Sequence, residues 1–184
     1  MEGLDLRPKA ALGWRGSCLG SDAMPDKRKL DQNNAVDQLI LDHEKVRKLF
    51  REYEKAADGH EKRRIAQDVF VELELHTKVE EEFFYPALRR RAETEEMRKL
   101  LDESLEEHHV ADTLIEELKA MSTTDHRYDA KFKVLQENVE HHAAEEEEEM
   151  LPDARRRLGA DADELGPKIL ERKDQLMPPG RKAA

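Results

Sequence analysis

Apolar residues recur at intervals of three and four along four long segments of this chain, with charged residues at most positions between them. Such spacing places the apolar side chains on one face of an α-helix. Charged residues make up 41% of the sequence and aromatic residues 5%, a balance that favours long, solvated helices over sheets. The pattern therefore predicts an all-α protein in which four helices pack their apolar faces together.

The predicted helices are separated by short breaks. The first begins near Asp31 and ends before Asp58, and the others cover 61–91, 93–121 and 126–158. Short connections place consecutive helices antiparallel, which predicts an up-down-up-down four-helix bundle.

The other parts of the chain are assigned around this bundle. We predict a flexible leader over 1–29, the bundle over 30–158, a short C-terminal helix over 159–177 and a tail over 178–184. Within the bundle, the run STTD at 122–125 supplies a turn and N-cap residues for the fourth helix. No apolar run approaches the length of a bilayer span, and the N-terminus has no continuous apolar segment typical of a secretory signal.

Charge and cysteine content limit the partners and the compartment. The net charge of -11 would be repelled by a phosphate backbone and by an anionic membrane surface, so we expect neither partner. Cys18 is the only cysteine, which excludes an internal disulfide and suits a reducing compartment. We expect a cytoplasmic protein that is a monomer or a weak homo-oligomer.

The bundle is predicted to consist of two copies of one helical hairpin. A shift of 65 or 66 residues superimposes histidines, glutamates and prolines while most surrounding residues differ, so low complexity does not explain the match. The matched pairs are His43/His108, His60/His126, His76/His142, Glu80/Glu146 and Pro86/Pro152. This selection indicates a constraint on the matched side chains themselves.

Four of these histidines lie on the apolar stripes, one per helix, and two of them have a glutamate four residues later on the same helix face. Burying six such groups without a partner would be costly, and a shared cation removes that cost. The predicted metal ligands are His43, His76, Glu80, His108, His142 and Glu146.

Nitrogen and oxygen ligands without thiolate suit iron, with manganese or zinc less favoured. Six side chains can serve two ions if Glu80 and Glu146 bridge them, with one further position for an oxo or hydroxo bridge. At least one coordination position then stays open, where O2, NO or peroxide could bind.

Histidines occur as adjacent pairs at 108–109 and at 141–142, and the apolar stripe predicts which member of each pair is the ligand. Leu101, Leu105 and Ile115 select His108 over His109, because successive helical residues differ by about 100°. By the same argument Phe132, Leu135 and Val139 select His142 over His141. The other member of each doublet is expected at the surface or behind a ligand, and His60 and His126 are expected to cap helices or face solvent.

Other residues near the predicted site have two possible roles. Apart from Glu80 and Glu146, the acidic runs at 80–82 and 145–149 are expected to form a solvated face whose charge helps to gather cations. Tyr53 and Tyr85 could each supply a phenol, with core packing favoured for Tyr53. The prolines at 86 and 152 either shape the helices beyond the site or end them.

Four segments carry a family resemblance: DHEKVRKLF, LHTKVEEEFFYPAL, EEHHVADTLIEEL and VEHHAAEEEEEMLP. Together they resemble the hemerythrin-like proteins with a histidine–histidine–glutamate (HHE) cation-binding domain. The resemblance covers 31–158 and implies the hemerythrin bundle and an oxo- or hydroxo-bridged di-iron centre held by the six residues named above. Four histidines rather than five place the chain with the bacterial HHE branch and not with the reversible oxygen carriers.

Three functions follow as hypotheses. The first is a di-iron protein that binds or turns over O2, NO or peroxide during oxidative or nitrosative stress. The second is iron storage, delivery or sensing without catalysis. A role in iron–sulfur cluster repair is a variant of it, although Cys18 alone is a poor match to the cysteine-bearing segment of such proteins. The third is a helical interaction module without metal.

Overall fold

The computed structural model describes residues 30–180, which are helical with no strand among them. The predicted leader and most of the predicted tail lie outside this range. The elements are α1 (Ala35–Lys55), α2 (Gly59–Val79), a first π segment (Glu80–Phe84), α3 (Tyr85–Arg91), α4 (Glu95–Ala120), α5 (Tyr128–Glu145), a second π segment (Glu146–Met150), α6 (Leu151–Leu158) and α7 (Asp161–Leu176). The all-α bundle prediction is confirmed. No helix in the described part of the chain is long and apolar enough to cross a membrane.

Side-chain caps fix where three of the long helices begin. Asn34 accepts hydrogen bonds from the first turn of α1, and Asp58 does so for α2 from the backbone N–H groups of His60 and Glu61. Thr94 caps α4 in the same way. The fourth predicted helix differs, because Arg127 is its N-cap and makes no side-chain cap bond. The predicted turn over 122–125 is present, and Asp125 Oδ1 accepts a hydrogen bond from the backbone N–H of Arg127 at 2.8 Å. The predicted N-cap role was wrong, because Arg127 holds that position.

The two prolines of the repeat lie inside continuous helical segments, and neither proline ends its segment. Pro86 and Pro152 lie in the first turns of α3 and α6, each directly after a π segment. There the backbone N–H of Tyr85 donates to the carbonyl of Glu80, five residues back, and Leu151 donates to Glu146 in the same way. Because proline has no N–H to donate, the wider turn lets the helix continue past it.

The apolar core has two parts. One lies towards α3, α6 and α7 and contains Leu39, Phe84 and Met150, while the other lies towards the α4–α5 connection and contains Phe50 and Phe132. Helices α1, α2 and α4 contribute to both parts, whereas α5 contributes to the second part. The prediction that Leu105 faces the core was wrong, since 37% of its surface is exposed and Ser104 is buried in its place.

Helix α7 packs along α1 and is held by a close backbone approach. A Cβ atom built on Gly166 would lie 1.8 Å from the carbonyl oxygen of Asn33, so this position has no room for a side chain. Gln38 donates a hydrogen bond from its side-chain amide to the Gly166 carbonyl at 2.8 Å. The predicted short C-terminal helix is thus a 16-residue helix fixed to the start of α1.

Candidate metal centre

The four predicted histidines converge between the two parts of the core as two pairs. His43 Nε2 lies 3.2 Å from His76 Nε2, and His108 Nε2 lies 3.1 Å from His142 Nε2. The rings meet edge to face in both pairs, with centroids 4.8 Å apart. We call His43 and His76 the first pair, and His108 and His142 the second pair. All four imidazoles are buried.

Two buried carboxylates join the pairs. Glu80 Oε2 lies 3.2 Å from His76 Nε2 and 3.3 Å from His108 Nε2, so it contacts one member of each pair. Glu146 Oε2 lies 3.2 Å from His43 Nε2 and 3.7 Å from His142 Nε2. The arrangement has an approximate two-fold symmetry that follows the duplicated hairpin. The six groups form a His43–His76–Glu80–Glu146 cluster and an adjoining Glu80–His108–His142 cluster.

Two carboxylate oxygens of this cluster have no hydrogen-bond partner among the described residues. Glu80 Oε1 and Glu146 Oε2 are buried and accept no hydrogen bond. Such orphaned carboxylate oxygens are costly unless a cation neutralises them. Two ligand atoms at right angles around one ion, each about 2.1 Å from it, lie about 3.0 Å apart. The Nε2 separations match that spacing, so the residues fit metal ions.

Each histidine also has a carboxylate at its other ring nitrogen. Nδ1 of His43 lies 3.0 Å from Glu147, and Nδ1 of His76 lies 3.3 Å from Asp42. In the second pair, the Nδ1 distances are 3.1 Å from His108 to Glu81 and 2.8 Å from His142 to Glu107. Such carboxylates orient a ligating imidazole and point its Nε2 lone pair at the ion. We call them the outer carboxylates: Asp42, Glu81, Glu107 and Glu147.

The electrostatics of the cluster favour positive charge. Burial alone would lower the pKa of His43, but the carboxylates of Glu146 and Glu147 raise it to about 9. Burial is likewise outweighed at His108, where Glu80 and Glu81 raise the pKa to about 10. Burial would raise the pKa of Glu146, but the neighbouring histidines hold it well below its usual range. The carboxylate of Glu146 therefore remains charged, and protons or a metal cation must balance it.

Tyr85 completes the centre on one side. Its hydroxyl donates to Glu146 Oε1 at 2.8 Å and lies 3.3 Å from both Glu80 Oε2 and His108 Nε2. Burial, followed by the charges of Glu146 and Glu80, raises the pKa of this phenol well above its usual value. Tyr85 is thus a neutral donor at the junction of the two pairs. Tyr53, in contrast, stacks on Phe132 with ring centroids 3.8 Å apart.

A small cavity adjoins the imidazoles. Its space for water-sized molecules is about 20 Å³, enough for one of them. All four histidines line the cavity. Apolar side chains also line it, those of Val46, Leu73, Ala111 and Val139. The imidazoles therefore border a space that can hold one small molecule.

The remaining candidate residues fall outside the cluster. His60, His109, His126 and His141 are exposed. The expectation that the rest of the acidic runs forms a solvated face was wrong in part, because Glu81 and Glu147 contact histidines and Glu82 pairs with Arg172. The signal for the first two was present, since the 66-residue shift that aligns Glu80 with Glu146 also aligns Glu81 with Glu147.

Comparison with known proteins agrees with this geometry. A family model described as the hemerythrin HHE cation-binding domain matches residues 34–154. The chain belongs to this family. The match spans both hairpins and all six buried ligand-type groups, so the HHE domain accounts for the doubled pattern. The paired clusters and the family together fit a metal-binding protein.

Relatives of this HHE chain differ in length and description. A protein named DNA nickase from Nostoc sp. (strain PCC 7120) is 26% identical over 163 residues, which cover 89% of this chain and 45% of that protein. The chain thus spans less than half the length of that relative. Uncharacterised proteins of Mycobacterium bovis and Mycobacterium tuberculosis are 28% identical over 149 residues, covering 78% of this chain and 87% of theirs. No solved structure shows a significant match.

Proposed function

We propose that this chain is a non-haem di-iron protein that binds or turns over O2, NO or peroxide. The observation that supports it is two buried imidazole pairs, joined by two shared carboxylates, beside a cavity sized for one small molecule. Oxygen and nitrogen ligands without thiolate suit iron. A role in oxidative or nitrosative stress, in the cytoplasm, belongs to the same proposal.

The residues of the chain have distinct parts in this function. His43 and His76 would hold one ion, His108 and His142 the other, and Glu80 and Glu146 would contact both. Bound iron supplies the redox chemistry and the open coordination position. The outer carboxylates orient the imidazoles. Tyr85 holds a proton 2.8 Å from Glu146, where it can stabilise negative charge that develops between the pairs.

Metal analysis is the first test. Protein purified without a chelating tag should contain about two metal ions, chiefly iron, as expected when ligands are shared between two positions. His142→Ala should lower this content, whereas His109→Ala, an exposed histidine outside the cluster, should not. Protein with less than one ion, or equal content in the two variants, would refute the assignment.

Spectroscopy tests the reaction. The anaerobically reduced protein is mixed separately with O2, NO and H2O2 while its absorption in the near-ultraviolet and visible is recorded. A change with at least one of these, absent from His142→Ala and retained in His109→Ala, is expected. If the iron-loaded protein responds to none of them, binding of small oxidants is excluded and a metal-handling role remains.

That second role, iron buffering, delivery or sensing, is favoured by one observation at the surface. His141 Nε2 lies 3.4 Å from Glu145 and 3.8 Å from Glu107. Glu107 also contacts His142 through its other oxygen, so this exterior group adjoins the interior one. A metal-handling role predicts a large iron-dependent rise in melting temperature and slow loss of added peroxide. Rapid peroxide loss that disappears in His76→Ala would contradict it.

The activity named for the Nostoc relative is not carried over to this chain. The match covers 45% of that protein, so the named activity can depend on the part that this chain does not match. A net charge of -11 also opposes binding to a phosphate backbone. We therefore propose a small gaseous or peroxide ligand and no nucleic acid partner.

A further inference from the structure

Each outer carboxylate of the first pair also forms an ion pair with a basic side chain. Lys173 of α7 forms an ion pair with Asp42, whose Oδ2 contacts His76. Arg47 Nη1 lies 2.6 Å from Glu147 Oε1, the same oxygen that contacts His43. Both carboxylates are thus shared between a histidine and a lysine or arginine side chain.

The outer carboxylates of the second pair differ. Glu81 is partly exposed and contacts His108, and Glu107 contacts His142 and the exposed imidazole of His141. Among residues 30–180, no lysine or arginine forms an ion pair with either carboxylate. The nearby ammonium of Lys78 pairs with Glu82 instead, at 3.4 Å.

This difference changes the donor strength of the imidazoles. A carboxylate at Nδ1 raises the basicity of a ligating histidine and so strengthens its bond to the ion. A cation that shares the carboxylate weakens this effect and adds a positive charge that repels the metal. Each outer carboxylate of the first pair therefore forms an ion pair with a lysine or arginine, whereas those of the second pair form none in the described part of the chain. Lys78 acts on Glu81 only through its nearby charge, so the two pairs differ in their surroundings although they have the same ligand types.

We propose that Lys173 and Arg47 are positioning residues that lower the cation affinity of the first pair, so that divalent cations load first at His108 and His142. The proposal rests on the metal binding proposed above. It also links the affinity of the first pair to α7, which is fixed by Gly166 and by the bidentate pairing of Arg172 with Glu82. A change in α7 that withdraws Lys173 would strengthen the first position.

The experiment is an anaerobic calorimetric titration of the metal-free full chain with Fe²⁺. The wild-type protein should bind two equivalents in two steps of different affinity. His142→Ala should remove the tighter step and His76→Ala the weaker one. Lys173→Met should tighten the weaker step on the order of 10-fold and leave the tighter step unchanged. Lys173→Arg should behave as the wild type because it keeps the charge.

Two further variants separate a charge effect from a structural one. Arg47→Met should tighten the same step as Lys173→Met, although it lies on α1 and not on α7. Lys168→Met, an exposed position on α7, should change neither step. Lys173 borders a surface cleft of about 260 Å³ between α1, α2 and α7, so a methionine side chain has room there.

Three results would overturn the proposal: two equal steps in the wild type, loss of the tighter step in His76→Ala, or an unchanged weaker step in both methionine variants. Each of these leaves the proposed di-iron function intact, because two ions still bind. If the wild-type chain takes up no Fe²⁺, the proposed function itself fails and this inference fails with it.

Discussion

Removing the hydroxyl of Tyr85 is the sharpest test of how the buried carboxylates are stabilised. In metal-free protein, Tyr85→Phe leaves Glu146 Oε1 without its 2.8 Å donor at a position where Glu146 is 1% exposed. A hydrogen bond to a charged group contributes about 1.5–3 kcal/mol to the free energy of unfolding. Removing the donor of a buried acceptor also costs the desolvation free energy of that acceptor. We expect the free energy of unfolding to fall by about 2 kcal/mol.

A matched control comes from a second buried tyrosine, Tyr53. The Tyr53 hydroxyl donates to Asp129 at 2.8 Å, but the side chain of Asp129 is 61% exposed, so water replaces the bond in Tyr53→Phe. That variant should lose less than about 1 kcal/mol, the net value of an ordinary hydrogen bond.

Urea unfolding of both variants, in the presence of a chelator, measures the two losses. For a domain of this size, about 2 kcal/mol corresponds to a fall in melting temperature of about 4–8 °C. If Tyr85→Phe costs no more than Tyr53→Phe, the hydroxyl of Tyr85 does not stabilise Glu146, and the assignment of Tyr85 as a donor at the centre is wrong.

Two further predictions concern α7 and pH. Gly166→Ala should detach α7 from Asn33 and lower the melting temperature in a thermal scan. Gly59→Ala should change the melting temperature little, because its Cβ would make an ordinary contact at 3.7 Å. Equal effects of the two substitutions would contradict the close approach at Gly166. In metal-free protein, neighbouring carboxylates raise the pKa of His43 to about 9 and that of His108 to about 10, above the ordinary histidine pKa of 6.5. Their stabilisation is complete below pH 6.5 and is lost as pH rises through 9–10, so urea midpoints should fall over that range in metal-free protein and stay level with metal bound.

The sequence was enough to predict that the six groups are buried, because helix geometry and the apolar stripes determine the face on which each one lies. His76 and Glu80 lie one turn apart, and the apolar stripes fix the face on which each histidine lies. Leu105 was misplaced because an apolar residue was preferred to Ser104. Ser104 is buried instead, since its hydroxyl donates to the Leu100 carbonyl of its own helix at 2.9 Å.

The outer carboxylates and α7 depend on packing between distant parts of the chain. Glu147 reaches His43 across 104 residues, and Lys173 reaches Asp42 across 131. Periodicity within one helix carries no information about which neighbouring helix a side chain contacts. The internal repeat does carry some, since Asp42 and Glu107 precede matched histidines, but it has no counterpart for α7 and could not predict Lys173.

The two π segments have a consequence for the history of the chain. Each begins at the shared glutamate of its own hairpin, at Glu80 and at Glu146, and each spans five residues. A wide turn holds one residue more than the α-helical turn that it replaces. The same irregularity at matching places is what gene duplication leaves when the ancestral hairpin already contained it. Such a hairpin, associating with a second copy of itself, could have assembled the entire ligand set before the two were fused.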